Sequence, residues 1–175
     1  MIVQEYNGEV KAYDIRMAES KDLDYITNSW LLAHRMSPEW AMPNTVDREY
    51  FHYTHKKLDE IIPRCSAKGG IYMCHQPDHP DQYRGYLVAE AFEDFPPIVH
   101  WLQVKKKDKR QGVAKALMTQ FFMDFELSNT DTLVYTFSAC DMKKRWLQEA
   151  VKREGIKLLY IPDLKHTLNE PNWEA

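Results

Sequence analysis

The segment from Ile98 to Met118 most constrains the fold. Ile98-Val99-His100-Trp101-Leu102-Gln103-Val104 is an apolar run of strand length, and Gly112 to about Leu127 places Val113, Leu117, Phe121 and Phe125 on one helical face. Only Lys105-Lys106-Lys107-Asp108-Lys109-Arg110-Gln111 separates the two. A buried strand that enters a helix through a short, basic, glycine-containing turn is a place for an anionic ligand. The first turn of a helix leaves backbone N–H groups unpaired and carries partial positive charge, which suits a pyrophosphate. Small residues at Gly112 and Ala114 let phosphates approach the backbone, and the neighbouring lysines attract a further one. The bland alternative is a solvated basic turn.

The rest of the chain predicts a mixed sheet around that segment. Ala12 to Met17 reads as a strand. Ser20 is placed to cap a helix carrying Leu23, Ile26, Trp30, Leu31 and His34. A second helix is expected from Thr45 or Asp47 through Tyr50, Phe51, Thr54, Leu58 and Ile61, stopping by Pro63. Ile71–Cys74 and Tyr86–Phe92 form a predicted hairpin across the turn 77–81. Thr132–Phe137 is a further strand. Asp141 is placed to cap a helix ending at Gly155, and Ile156–Ile161 is the last strand. The expected order is strand, helix, helix, three strands, helix, strand, helix, strand, an α/β arrangement in one domain over 1–175 with 163–175 as a C-terminal tail.

Composition narrows the function classes. The 175 residues suit one core, and a net charge of -3 makes the chain as a whole no magnet for nucleic acid or membrane. Lys105-Lys106-Lys107 and Lys143-Lys144-Arg145, with Trp101 or Trp146 for stacking, allow a nucleic-acid patch, but no recognisable motif accompanies them. Cys65, Cys74 and Cys140 are odd in number and scattered, which argues against a disulfide framework. Cys65, Cys74, His75 and His79 lack paired metal-ligand spacing, so no metal is expected. The start has no basic region followed by an apolar stretch, and no apolar run reaches the ~20 residues of a membrane span. A cytoplasmic location is the expectation.

Lys109-Arg110-Gln111-Gly112-Val113-Ala114, followed by Ala116-Leu117-Met118, resembles the acetyl-CoA loop of the GNAT acyltransferase superfamily, Gln/Arg-x-x-Gly-x-Gly/Ala. Lys109 stands where the family has Gln or Arg, keeping charge and changing geometry. The resemblance covers nearly the whole chain. Tyr13 to Asp22 is similar to the family's first strand and helix entry, and Lys152-Arg153-Glu154-Gly155-Ile156 to the end of its penultimate helix. Ser29-Trp30-Leu31, Tyr50, His55 and Gly85-Tyr86-Leu87-Val88 are similar to small GNAT-like proteins of tailed phages, which would place the protein in a host cytoplasm.

This resemblance implies a mostly antiparallel mixed sheet splayed between its fourth and fifth strands. Acetyl-CoA would be the cofactor, with the thioester in the gap and an acceptor amine opposite. Leu102 and Val104 would offer backbone groups to the pantetheine arm, and Arg110, Gln111, Gly112, Val113 and Ala114, preceded by Lys109, would hold the pyrophosphate. The implied reaction is N-acetylation of a small molecule or protein by direct attack, and a homodimer is left open. His100 is the candidate proton acceptor, since several members place a catalytic His or Glu there; its alternative is a hydrogen-bonded core histidine. Trp30, His34, Tyr50, Tyr53 and His55 lie on the two helices that line the acceptor cleft in this fold, where ordinary packing is the competing reading. The Tyr that family members often carry four residues before the helix-ending Gly is Val151 here, and no general acid is evident among Tyr135, Ser138 and Cys140. A catalytically weak or inactive binding protein of the same fold is therefore the alternative.

Overall fold

The computed structural model describes residues 2–6, 9–36, 47–77, 79–127, 130–137, 145–153 and 155–161. In chain order the elements are β1 (Ile2–Tyr6), β2 (Glu9–Met17), α1 (Ser20–Arg35), α2 (Asp47–Ala67), β3 (Ile71–Gln76), β4 (His79–Glu90), β5 (Ile98–Val104), α3 (Val113–Asp124), β6 (Thr132–Tyr135), α4 (Arg145–Arg153) and β7 (Lys157–Tyr160). The seven strands form one sheet in sequential order. β1 to β5 pair antiparallel, while β5–β6 and β6–β7 pair parallel. The α/β class and the order of the ten predicted elements match; β1 precedes them, so the expected fourth and fifth strands are β5 and β6.

Alternation along β4 explains how the layers form. Successive side chains in a strand point to opposite faces. A Cβ at Gly85 would lie 3.2 Å from Val113 of α3, whereas Tyr86 turns its hydroxyl to Ser29 of α1 at 2.8 Å. Helix α3 therefore covers one face and α1 the other. On the α1 face, Trp30 stacks on Trp101 with ring centroids 5.1 Å apart, a contact worth about 0.5–1.5 kcal/mol beyond area burial. On the α3 face, Phe121 meets Tyr72 edge-on.

Two helix boundaries differ from expectation. Ser20 is the first residue of α1 rather than its cap; Asp22 accepts a hydrogen bond from the Glu19 N–H at 2.8 Å and holds the start instead. Helix α2 continues through Pro63 to Ala67. Pro63 is exposed, so the carbonyl that loses its partner can face water, while Leu58, Ile61, Ile62 and Cys65 keep the buried stripe continuous. Packing overrides the local break. The predicted cap Asp141 and the tail 163–175 lie outside the described residues, and among the described ones no helix is long and apolar enough to cross a membrane.

Candidate functional site

The basic turn after β5 is built around two left-handed residues. Arg110 has φ 61° and Gly112 has φ 87°, and Gly112 is the N-cap of α3. Gly accepts this conformation without penalty, whereas a side-chain-bearing residue costs about 1–2 kcal/mol. Three residues fix the turn from behind. Arg84 donates from Nε to Asp108 Oδ1 at 3.1 Å and from Nη2 to Gln111 Oε1 at 2.7 Å. The Gln111 amide donates to the Lys107 carbonyl at 3.1 Å, and the Tyr13 hydroxyl donates to the Gln111 carbonyl. Asp108 is buried, its carboxylate paired with Arg84.

The helix end itself is left for something else. No side chain caps it, and its first turn holds no acidic residue. Lys106, Lys107, Lys109, Arg110 and Lys115 are exposed around it, while Gly112, Val113 and Ala114 are buried against the sheet. Close packing here depends on Gly85, because any Cβ there would sit 2.6 Å from the Gln103 carbonyl. Unpaired N–H groups, a positive rim and a carboxylate already paired with Arg84 together fit a phosphate-bearing ligand. Of the sequence-predicted set, Lys109 to Ala114 are brought together on this turn, and Leu102 and Val104 lie on the strand that leads to it.

Beside the turn the sheet opens. β6 pairs with β5 only at Ile98 and Val99, and β5 runs on to Val104 without it. Just past this junction β5 carries a bulge: Val88 pairs with Trp101 and Ala89 with Val99, so His100 has no partner in β4. The extra residue puts His100 and Trp101 on the same face, toward α1 and α2.

His100 is fully buried, and both ring nitrogens are engaged. Nε2 lies 2.8 Å from Glu90 Oε1, and Nδ1 lies 2.9 Å from Thr136 Oγ1. Burial lowers its pKa despite the adjacent Glu90, so the ring is neutral at pH 7. The hydrogen-bond network assigns its proton to Nε2, donated to the carboxylate, and its lone pair to Nδ1, which accepts from Thr136. Burial alone would raise the Glu90 carboxyl, but hydrogen bonds from His100 and Arg64 outweigh it and hold it at about 2. Arg64 at 2.8 Å and Lys68 at 3.4 Å supply the counter-charge.

Cys65 completes this cluster, its sulfur within 4.8 Å of the Glu90 and His100 ligand atoms. A metal would need a thiolate, yet burial and the neighbouring Glu90 push the thiol well above its ordinary value, and the carboxylate already holds two cations. The chemistry is that of a hydrogen-bonded ion network. Sequence spacing hides it, since Arg64, Glu90, His100 and Thr136 come from α2, β4, β5 and the end of β6.

A second imidazole stands at the open side of the splay. His34 of α1 is half-buried, with its ring 5.5 Å from Phe137 and 6.2 Å from Trp101, the residues flanking the gap between β5 and β6. Its Nδ1 lies 2.8 Å from the Tyr50 hydroxyl of α2. Of the other cleft candidates, Trp30 and Tyr50 are buried and Tyr53 and His55 are exposed. Trp101, weighed as a base-stacking surface, is buried under Trp30. Val151 is buried, Tyr135 rests on Tyr160, and Ser138 and Cys140 lie outside the described residues.

No protein-family model matches this chain, nor does any curated protein sequence. Solved structures do. An acetyltransferase of the GNAT family from Staphylococcus aureus Mu50 aligns with a TM-score of 0.55 at 14% identity, over 82% of this chain and 84% of that one. A provisionally assigned acetyl transferase from Pyrococcus furiosus aligns with a TM-score of 0.52 at 14% identity, over 81% of this chain and 91% of that one. At such identity the likeness concerns the backbone, and with the splayed junction of β5 and β6 it leads to one statement: this chain has the fold of the GNAT acetyltransferases.

Proposed function

We propose that the protein is an acetyl-CoA-dependent N-acetyltransferase that transfers an acetyl group to an amine of a small molecule or protein by direct attack in a ternary complex. The observation that carries this reading is the uncapped start of α3, reached through left-handed Arg110 and Gly112 and placed beside the splay of β5 and β6. Backbone N–H groups of Arg110 to Ala114, aided by Lys109, would hold the pyrophosphate, and the β5 backbone at Leu102 and Val104 would meet the pantetheine arm. Bound there, acetyl-CoA supplies the activated thioester; the chain orients the two reactants and keeps water out of the gap.

Calorimetric titration with acetyl-CoA and with free CoA tests the cofactor site. Saturable binding of both is expected, and heats no larger than dilution for either ligand would refute it.

His100 belongs to this reading through its network. Enclosed between Glu90 and Thr136, it bridges β4 to the end of β6 across the splay, so it sets the width of the gap. His100→Ala is expected to leave acetyl-CoA binding within about threefold and to lower turnover by roughly tenfold or more, as misplacement of reacting groups does. Unchanged turnover would remove His100 from the catalytic apparatus.

The absence of a tyrosine at Val151 favours a second reading, a GNAT-fold protein that binds a partner without catalysis. It predicts a protein partner and no CoA release with any amine.

A further inference from the structure

Resting on the acetyltransferase reading, we propose that Arg84 is the positioning residue of the cofactor turn: acting through Gln111, its guanidinium holds the backbone of 110–114 in the shape that receives the pyrophosphate. A bulge in β4 brings it there. Cys74 pairs with Gly85 and His75 with Tyr83, so Arg84 is an extra residue with no partner in β3. Tyr83 lies on the α1 side, its ring 5.0 Å from Tyr25 and its hydroxyl donating to Asp22 at 2.7 Å. Gly85 faces Val113 of α3. The bulge absorbs this break in alternation and sends Arg84 with Gly85 toward the start of α3, where the guanidinium meets Asp108 and Gln111.

The division of its donors points to positioning rather than to stability. An Arg–Asp pair is held best when two donors of the guanidinium meet both carboxylate oxygens. Here Nε donates to Asp108 Oδ1 at 3.1 Å, but Nη2 donates to Gln111 Oε1 at 2.7 Å. Asp108 is only 5% exposed, and its Oδ2 has no hydrogen-bond partner among the described residues. A buried carboxylate oxygen left in this way is destabilising. What the arrangement gains is a fixed Gln111. Its side-chain oxygen is held by Arg84, its amide by the Lys107 carbonyl at 3.1 Å, and its main-chain carbonyl by the Tyr13 hydroxyl. Gln111 stands between left-handed Arg110 and Gly112, so pinning it fixes the direction of the N–H groups that open α3.

Arg84 does not act as a counter-charge for phosphate. Its own charge is paired with Asp108, and its side chain is only 15% exposed. Lysine is therefore no substitute, although it keeps the charge: an ammonium on a flexible stem lacks the planar fork that spans Asp108 and Gln111.

Titration of Arg84→Lys, Gln111→Ala and the double variant with acetyl-CoA tests the assignment. Each single variant is expected to weaken binding by roughly tenfold or more, and the double variant by less than about threefold beyond either, because Arg84 acts through Gln111. Gln111→Ala also frees Nη2 to meet Asp108 Oδ2, so its melting temperature should equal or exceed that of the unsubstituted protein while its affinity falls. A merely structural contact would lower both. Undiminished binding by Arg84→Lys, losses that multiply in the double variant, or a lower melting temperature in Gln111→Ala would overturn the proposal. A further readout needs no cofactor. The Ala116 N–H donates to the Gly112 carbonyl at 2.9 Å and closes the first turn of α3. Its hydrogen exchange in the ligand-free protein should quicken by about tenfold or more in Arg84→Lys, and an unchanged rate would show that Arg84 does not set the turn. Failure of the unsubstituted protein to bind acetyl-CoA would instead sink the transferase reading itself, and the exchange comparison would still decide the role of Arg84.

Discussion

Gly112→Val is expected to abolish measurable acetyl-CoA binding while leaving a folded protein. Gly112 has φ 87° and ψ −3°, a left-handed conformation in which a β-branched residue is an outlier. Valine must either hold that strained geometry, at a cost of about 1–2 kcal/mol, or swing the backbone out of it. Swinging out redirects the N–H groups that open α3. Two charge-assisted hydrogen bonds lost in this way would weaken binding by about 3 kcal/mol, roughly a hundredfold or more. Gly112→Ala carries the same backbone conflict with less bulk and should fall between the two. Calorimetry measures the binding, and thermal unfolding shows that the variant is intact. Full affinity in folded Gly112→Val would mean that the anion site is elsewhere.

Glu90→Ala should cost more stability than any other single change around the site, about 3–5 kcal/mol in chemical denaturation. The carboxylate is fully buried and is held by Arg64, Lys68 and His100. Its removal takes away the buried carboxylate that Arg64, whose side chain is 16% exposed, meets at 2.8 Å. Glu90→Gln keeps the volume and one acceptor and should cost less. The same group sets an acid limit. Its folded pKa is about 2 against an ordinary 4.5, a depressed value, so its contribution is complete above the ordinary value and is lost as pH falls toward 2. The difference corresponds to about 3 kcal/mol at neutral pH. Unfolding free energy should therefore decline below about pH 4.5 in the native protein, with a shallower decline in Glu90→Gln. Equal slopes would show that other carboxylates govern acid unfolding.

Periodicity and punctuation were enough to read ten of the eleven elements. The exception, β1, carried a signal in Asn7-Gly8, a dipeptide suited to a two-residue hairpin, and Tyr6 does pair with Glu9. Pro63 misleads because a proline on the solvent face of a helix removes a hydrogen bond that water can replace. The basic turn proposed to hold phosphate was legible as structure because strand, turn, glycine and helix follow one another in 98–118. The environment of His100 was not. It depends on a bulge that no propensity marks and on partners 10 and 36 residues away. His34 was visible as one of five cleft candidates on the helices, but its contact with the Tyr50 hydroxyl at 2.8 Å joins residues on two different helices and no spacing marks it.

The two-residue junction between β5 and β6 has a mechanical side as well. Five antiparallel strands form one panel; β6, β7 and the helix between them form another, and few backbone bonds cross the join. Cooperativity passes through such a seam poorly, so the smaller panel can loosen at a fraction of the free energy needed to melt the larger. The gap proposed to receive a thioester is thus also the line along which the native sheet is expected to open first.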